Sequence, residues 1–344
     1  MQEMLSWGGV SESIFVQCMY KNLPFLTKIY WHNKSSLELY GTPQGMHPAD
    51  TEIAILRILY ENVINKNYTP CIVELAEAKT CEGVSEMISR EIDCTEVSRT
   101  PINSDVDRLY AMYCKYAEQI SHGLAYDKLS YAVLERCDWP IRYFLAKSIG
   151  SSADEAMILS LIFQLIHAMY VLNVLYPNFR HRDLHTANVM VKVDNTFRFN
   201  HGRPQVLVLQ AFGKKYYVPF FGFYVKIIDF DHSILPEEGI ISNAVYDKRH
   251  VVERSDHDML WFFYWLDFDS KSEYASPIMT VFIQSLLDAL DPNGMYYRHQ
   301  ENMSYINAHP ELIPTYKDLL TNDVFKDYLN PGKSIIYKAY KACD

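Results

Sequence analysis

At 344 residues the chain is long enough for two ordinary domains or for one two-lobed enzyme. Hydrophobic residues make up 49%, ample for a substantial core, and 22% charged residues keep the surface soluble. The formal net charge of −10 disfavours a general nucleic-acid binder, which needs a basic face against phosphates, yet it leaves room for a small phosphate-bearing ligand held locally.

Taken in chain order, residues 5–31 alternate apolar and polar types around the pair Gly8–Gly9 and read as strands joined by turns. Asp50–Asn62 places Ile53, Leu56 and Tyr60 at helical spacing behind Pro48 and Asp50, the usual chemistry of a helix start. Tyr68–Ala78 and Leu129–Glu135 read as strands. The stretch between them, about 80–128, is polar and largely helical, too long for a simple loop and therefore an inserted helical piece. Helical patterns follow over 139–147 and 154–176. The second is the most apolar run of the chain, but it contains Gln164 and His167 and reads as a buried helix. A loop leads into the strand Val189–Val193, 194–224 reads as β-hairpins, and Val225–Phe230 is a strongly apolar strand. From 255 onward the pattern is helical with prolines as punctuation. A strand-rich first part and a helix-rich second part give an α+β chain of two unequal lobes.

Seven cysteines (Cys18, Cys71, Cys81, Cys94, Cys114, Cys137 and Cys343) form no CxxC pair and no zinc-site spacing. An odd, scattered set points to reduced thiols and a cytoplasmic setting. The first ten residues, MQEMLSWGGV, lack the basic and apolar regions of a secretory signal. Neither a membrane nor a nucleic acid is expected as partner.

The residues that carry chemistry lie in two short segments. Asp183 and Asn188 are separated by four residues in HRDLHTAN, and Asp229 ends the strand VKIID. Phosphoryl transfer asks a protein for an acceptor oxygen held in line and for neutralised negative charge, most of it supplied by magnesium. A carboxylate such as Asp183 orients an acceptor hydroxyl and takes its proton, while an amide oxygen on the same loop and a carboxylate at a strand end suit a hard cation.

HRDLHTAN resembles the catalytic loop HRDxxxxN of eukaryotic-type protein kinases, and IIDFD resembles their DFG segment. That resemblance implies a bilobal protein-kinase-like fold, with residues 1–137 as a β-rich N-lobe and 138–344 as a mainly helical C-lobe. It makes Asp183 the catalytic base and Asn188 and Asp229 the ligands of Mg2+, with His181 and Phe230 packed behind the site. ATP is the implied cofactor. Gly9, Ser11 and Val16 fall at the first, third and eighth places of GxGxxGxV, so Gly8, Gly9, Ser11 and Val16 are the candidates for a phosphate clamp. Lys28 in FLTKIYW resembles the VAIK lysine and Glu52 the glutamate of the kinase C-helix, with Lys21 and Glu61 as rivals. YAVLERCD resembles the fifth strand entering the hinge, so Leu134 is the implied gatekeeper and the backbones of Glu135 and Cys137 the adenine readers. Asp258 resembles the aspartate that buttresses the catalytic loop, with Asp256 as competitor and an ordinary helix cap as the plainer reading.

Four features depart from the family pattern. His185 stands where most Ser/Thr kinases carry a lysine, as in haspin-like and choline- or aminoglycoside-kinase-like enzymes. Asp231 replaces the glycine of DFG, either as a further metal ligand or as a solvated turn residue. No APE motif follows, and only 28 residues separate Asp229 from Asp258, so Arg182 needs another anion such as Glu237 or Glu238. Finally, 40 residues separate Asn188 from Asp229, and the aromatic run YYVPFFGFYVKIIDFDHS is similar to kinase-like proteins of large cytoplasmic DNA viruses. The leading expectation is a divergent Ser/Thr protein kinase acting on a protein hydroxyl. The alternatives are a small-molecule kinase of choline or aminoglycoside type and a pseudokinase scaffold.

Overall fold

The structure is a computed structural model that describes residues 13–20, 23–42, 45–98, 104–147, 151–198, 203–241, 256–272, 275–301 and 303–343. Gly8, Gly9, Ser11, Lys21 and His250 lie outside the described residues, as do positions 242–255. The chain separates into two compact units. The first draws on Met1–Arg57 and Glu74–Arg136, the second on Ile58–Val73, Cys137–Ile240 and His250–Asp344. Ile58–Val73, which the sequence alone assigns to the first lobe, groups with the second unit.

The first unit contains strands β1 (Ser13–Tyr20) and β2 (Leu23–Asn33), helices α1 (Lys34–Tyr40) and α2 (Pro48–Leu59), and strand β3 (Leu75–Glu82). Helices α3 (Val84–Glu91), α4 (Cys94–Val97) and α5 (Asp105–Ser121) and strand β4 (Ala125–Glu135) complete it. The four strands form an antiparallel sheet in the order β1-β2-β4-β3. Strand β2 is β-branched and aromatic, and alternation sends Ile29 and Trp31 to one face and Lys28, Tyr30 and His32 to the other. Ile29 and Trp31 join Ile14, Leu129, Val84, Ile88 and Tyr116 in a core that fastens the helical insert to the sheet. The Trp31 ring lies 5.4 Å from Tyr113 and 4.6 Å from Tyr116, contacts of about 0.5–1.5 kcal/mol each beyond the area they bury. The Tyr116 hydroxyl accepts from the His32 amide at 2.9 Å and so also ties helix to strand by a polar bond.

Three expectations change here. The strand expected over Tyr68–Ala78 begins only at Leu75, because Cys71–Val73 exchanges backbone hydrogen bonds with Ile227 in the second unit instead. The insert expected over about 80–128 is narrower, since β3 runs on to Glu82 and β4 starts at Ala125; long paired strands outcompete the polar composition of their ends. Cys94 and Cys114 form a disulfide between α4 and α5, against the expectation of reduced thiols throughout, while Cys18, Cys71, Cys81, Cys137 and Cys343 are not disulfide-bonded. The helices bring together two residues 20 apart, a proximity that spacing alone does not reveal.

In the second unit, β5 (Trp139–Pro140) precedes α6 (Ile141–Lys147), and α7 (Ser152–Leu175) starts at a capping box in which Ser151 and Asp154 bond reciprocally. Helix α7 is long and apolar enough to cross a bilayer, but Ile158–Leu172 is buried among protein groups. Its polar side chains are clips. Gln164 Oε1 accepts from the Val225 amide at 3.3 Å and Gln164 Nε2 donates to the Phe223 carbonyl at 3.3 Å, while His167 Nε2 lies 3.0 Å from the Gln210 carbonyl. The strands that follow are β6 (Val189–Val193), β7 (Gln205–Ala211), β8 (Lys214–Pro219) and β9 (Phe223–Ile227), and these bonds hold β7 and β9.

Strands β5, β6 and β9 make one small sheet. The expected hairpin is β7–β8, turned at Phe212 and Gly213, both with positive φ. Helices α8 (His257–Ser270) and α9 (Pro277–Leu290) follow. The C-terminal part is not helical throughout, because β10 (Ile335–Ala339) adds parallel to β7. Five residues with two adjacent isoleucines give no clear helix or strand period, and the partner strand more than a hundred residues earlier decides the outcome.

Candidate active site

In the first unit the site is built on the face of β2 opposite the insert core. Lys28 Nζ meets Glu52 Oε2 of α2 at 2.7 Å, with side-chain exposures of 6% and 1%. The rings of Tyr30 and Phe15 lie 5.1 and 5.6 Å from the ammonium. Buried charges of this kind persist only when paired, which explains why the strand lysine and the α2 glutamate sit together. Glu61 is exposed. Ala132 stands opposite Lys28 in the sheet and Leu134 opposite Leu26, so Leu134 shares the Lys28 face.

Val16 does not share it. In the β1–β2 register Phe15 faces Lys28, and Val16 packs with the insert core on the other side of the sheet. A one-residue offset in a strand reverses the face, so the GxGxxGxV placement is corrected here: Phe15 occupies the Lys28 side. The Glu135 amide donates to the Glu74 carbonyl at 2.8 Å, and Cys137 is half-buried.

A neighbouring cluster was not legible in the sequence. Lys128 Nζ binds Asp50 Oδ2 at 2.9 Å, and buried His32 sits 3.9 Å from the same carboxylate through Nδ1. The His32 ring also packs at 4.6 Å on His47, and its Nε2 bonds Ser130 at 2.9 Å. Burial pushes the His32 imidazole down to about 3, outweighing the attraction of Asp50. These contacts brace the first turn of α2, the turn before Glu52.

In the second unit the loop between α7 and β6 is held from three directions. Asp258 of α8, buried, accepts from the amides of His181 at 2.7 Å and Arg182 at 2.9 Å, so it buttresses the loop. Asp256 occupies the cap position of α8 without a side-chain cap bond. His181 is buried, and desolvation lowers its pKa below the ordinary histidine value, which keeps the ring neutral. Its Nε2 donates to the Ile228 carbonyl at 2.9 Å, and its Nδ1 accepts from the Asp183 amide at 3.4 Å. Phe230, fully buried, places its ring 5.1 Å from that imidazole.

Asn188 Nδ2 donates to Asp183 twice, to the carbonyl at 2.9 Å and to Oδ2 at 3.1 Å. Both donor contacts go to Asp183, so the amide oxygen is left to accept, the polarity a hard cation requires. The β6–β9 ladder pairs Val189 with Ile227, and the Ile228 amide donates to the Asn188 carbonyl at 3.0 Å. The ladder thus sets Asp229 one residue beyond the partner of Asn188. Arg182 (φ +66°) and Asp229 (φ +68°) both lie in the left-handed region, which costs a non-glycine residue about 1–2 kcal/mol. Strain sits immediately before one candidate carboxylate and on the other. One amide oxygen and one carboxylate fit Mg2+, which takes few protein ligands beside phosphate oxygens and water.

Among the described residues no group of three or more His, Cys, Asp or Glu side chains forms a ready-made metal cluster, and the scattered histidines give none. No family model matches the chain. It is similar to two proteins of Acanthamoeba polyphaga mimivirus, each named "Putative serine/threonine-protein kinase". One is 23% identical over 261 residues, covering 70% of this chain and 62% of the relative; the other is 24% identical over 253 residues, covering 71% and 50%. These likenesses, over about 70% of the chain, support a divergent protein-kinase-like relationship. It spans about half to three-fifths of the length of these relatives.

Beside that likeness the chain has details of its own. His185 Nδ1 accepts from the Ala187 amide at 3.1 Å, which turns Nε2 toward Asp183 Oδ2 at 3.5 Å. Asp231 is about one-third exposed and lies 3.9 Å from His232 Nε2. Glu237 accepts from the Asn178 amide and Nδ2, both at 2.9 Å, and so serves Asn178. Thr186 donates its hydroxyl to Asp269, a contact that no local sequence signal announces.

Proposed function

We propose that this chain transfers the γ-phosphate of ATP to a serine or threonine hydroxyl of a protein. The observation that carries this reading is the Asp183–Asn188–Asp229 arrangement, in which one amide side chain fixes the candidate base while the strand ladder brings a second carboxylate alongside. In the reaction, Asp183 accepts the hydroxyl proton as the acceptor oxygen bonds to the γ-phosphorus. The bond from that phosphorus to the β–γ bridging oxygen breaks, and ADP leaves with the electron pair. Lys28, fixed by Glu52, gives a positive charge to the nucleotide phosphates. Leu134 and the backbones of Glu135 and Cys137 take the adenine, and Gly8, Gly9 and Ser11 belong to the phosphate clamp. Asn188 and Asp229 would hold Mg2+, which would neutralise charge developing on the phosphate oxygens. The five cysteines that are not disulfide-bonded favour a cytoplasmic setting, and the acidic chain favours a protein acceptor over nucleic acid or membrane.

His185 beside Asp183 and the partly exposed Asp231 favour a second reading, transfer to a small hydroxyl compound. Labelled ATP and Mg2+ supplied with a protein mixture or with choline and an aminoglycoside separate the two. Label on protein, lost in Asp183→Ala, supports the first reading; label on a small acceptor alone rejects it.

A further inference from the structure

The structure assigns Asp269 a positioning role: through the Thr186 hydroxyl it clamps the second half of the loop that carries Asp183 and Asn188. The catalytic consequence rests on the phosphotransfer reading; the clamp itself does not.

Asp258 and Asp269 are eleven residues apart on α8. At about 100° per residue they return to nearly the same face, roughly 16 Å apart along the axis. Trp265, seven residues after Asp258, falls on that face too. The loop meets these positions in the same order. His181 and Arg182 donate their amides to Asp258, the His185 ring lies 6.0 Å from that of Trp265, and Thr186 donates to Asp269. Helix α8 therefore runs beside the loop as a splint with an aspartate at either end. Asp258 grips backbone, which any sequence provides, whereas Asp269 grips one particular hydroxyl.

Thr186 is buried, and its neighbours are the functional ones. His185 takes the Ala187 amide on Nδ1 and the Asn188 amide on its carbonyl at 2.9 Å, and Asn188 in turn holds Asp183. Releasing Thr186 frees the one stretch of this loop that has no contact with Asp258, and with it the orientation of Asn188. A buried hydroxyl left without its acceptor is unfavourable in place, so the loop would move to find another.

The test uses the whole chain with four substitutions: Thr186→Val and Asp269→Ala remove the bond, while Thr186→Ser and Asp269→Asn keep a donor or an acceptor. Amide hydrogen exchange over residues 181–190 is followed beside turnover of ATP and Mg2+, read as autophosphorylation or hydrolysis. Thr186→Val and Asp269→Ala are expected to speed loop exchange about tenfold without changing α7. They should lower kcat about tenfold while KM for ATP stays within twofold. The double variant is expected to be no worse than either single one, and the two conservative variants to stay within threefold of the parent. Unchanged loop exchange in Thr186→Val, with α7 still protected, overturns the clamp. So does a result in which Asp269→Asn is as damaging as Asp269→Ala while Thr186→Val is silent, since Asp269 would then be reading charge on a substrate. A parent chain that turns over no ATP rejects the phosphotransfer reading, and the exchange measurement still decides the clamp.

Discussion

In the first unit Lys28 and Glu52 meet as full charges in a nearly dry interior. In the second, Asp183 is oriented by the amide of Asn188, with neutral backbone groups and a neutral histidine arranged around it. The difference is one of purpose. A buried ion pair locks two elements and fails if either partner is lost, because the remaining charge has no solvent. On the phosphotransfer reading Asp183 takes a proton and needs an available lone pair, so its orientation comes from the bonds around it rather than from a saturating cation. Removal of charge should therefore be a stability lesion in the first unit and an activity lesion in the second.

The largest effect is expected from Asp183→Ala, which should remove about 4–5 kcal/mol of transition-state stabilisation. The midpoint of thermal unfolding should barely move, so kinetics and a melting curve on the same sample decide the contrast. Lys28→Met takes the lysine away from buried Glu52, with an expected loss of about 3–5 kcal/mol in stability by urea titration. Replacing both members with apolar residues should restore much of that loss. A double variant as unstable as the single one would mean that the pair is not the lock.

The Cys94–Cys114 disulfide closes a loop of about 20 residues in the insert, and reduction should cost up to about 3 kcal/mol. Because the bond belongs to the first unit, thermal melts with and without reductant should shift the first unit's transition alone.

His32 supplies the smallest effect and a pH signature. Its folded pKa is depressed to about 3 from 6.5, so the unfolded chain binds its proton first as pH falls. The contribution of the neutral buried ring is fully present above pH 6.5 and is lost progressively between 6.5 and about 3. Between pH 7 and pH 5 the fall should be about 2 kcal/mol, at roughly 1.4 kcal/mol per pH unit below 6.5. His32→Gln should flatten that part of the stability curve, and an unchanged slope would break the assignment.

Much of the site was legible because its chemistry is local. HRDLHTAN places Asp183 and Asn188 on one loop, and an apolar strand ending in Asp229 announces a carboxylate delivered from the interior. Lys28 stood out as a lysine inside an apolar strand, which requires an anion close by. The Val16 placement failed where a single residue of register matters: alternation is visible in sequence, but the core chooses the face, and the helical insert took the Val16 side.

By itself, the sequence determined the α+β character, the two short segments that carry the candidate carboxylates, and the strand–helix pairing of Lys28 with Glu52, because periodicity, turn chemistry and unpaired charge act over a few residues. Tertiary structure decided the contacts that bridge long separations. These are the parallel addition of β10 to β7, the Cys94–Cys114 bond, the His32–Asp50–Lys128 brace, and the splint of α8 along the loop through Asp258 and Asp269. Such contacts depend on which face of a helix or strand is buried and in what register, and a side chain's type leaves both open until packing chooses.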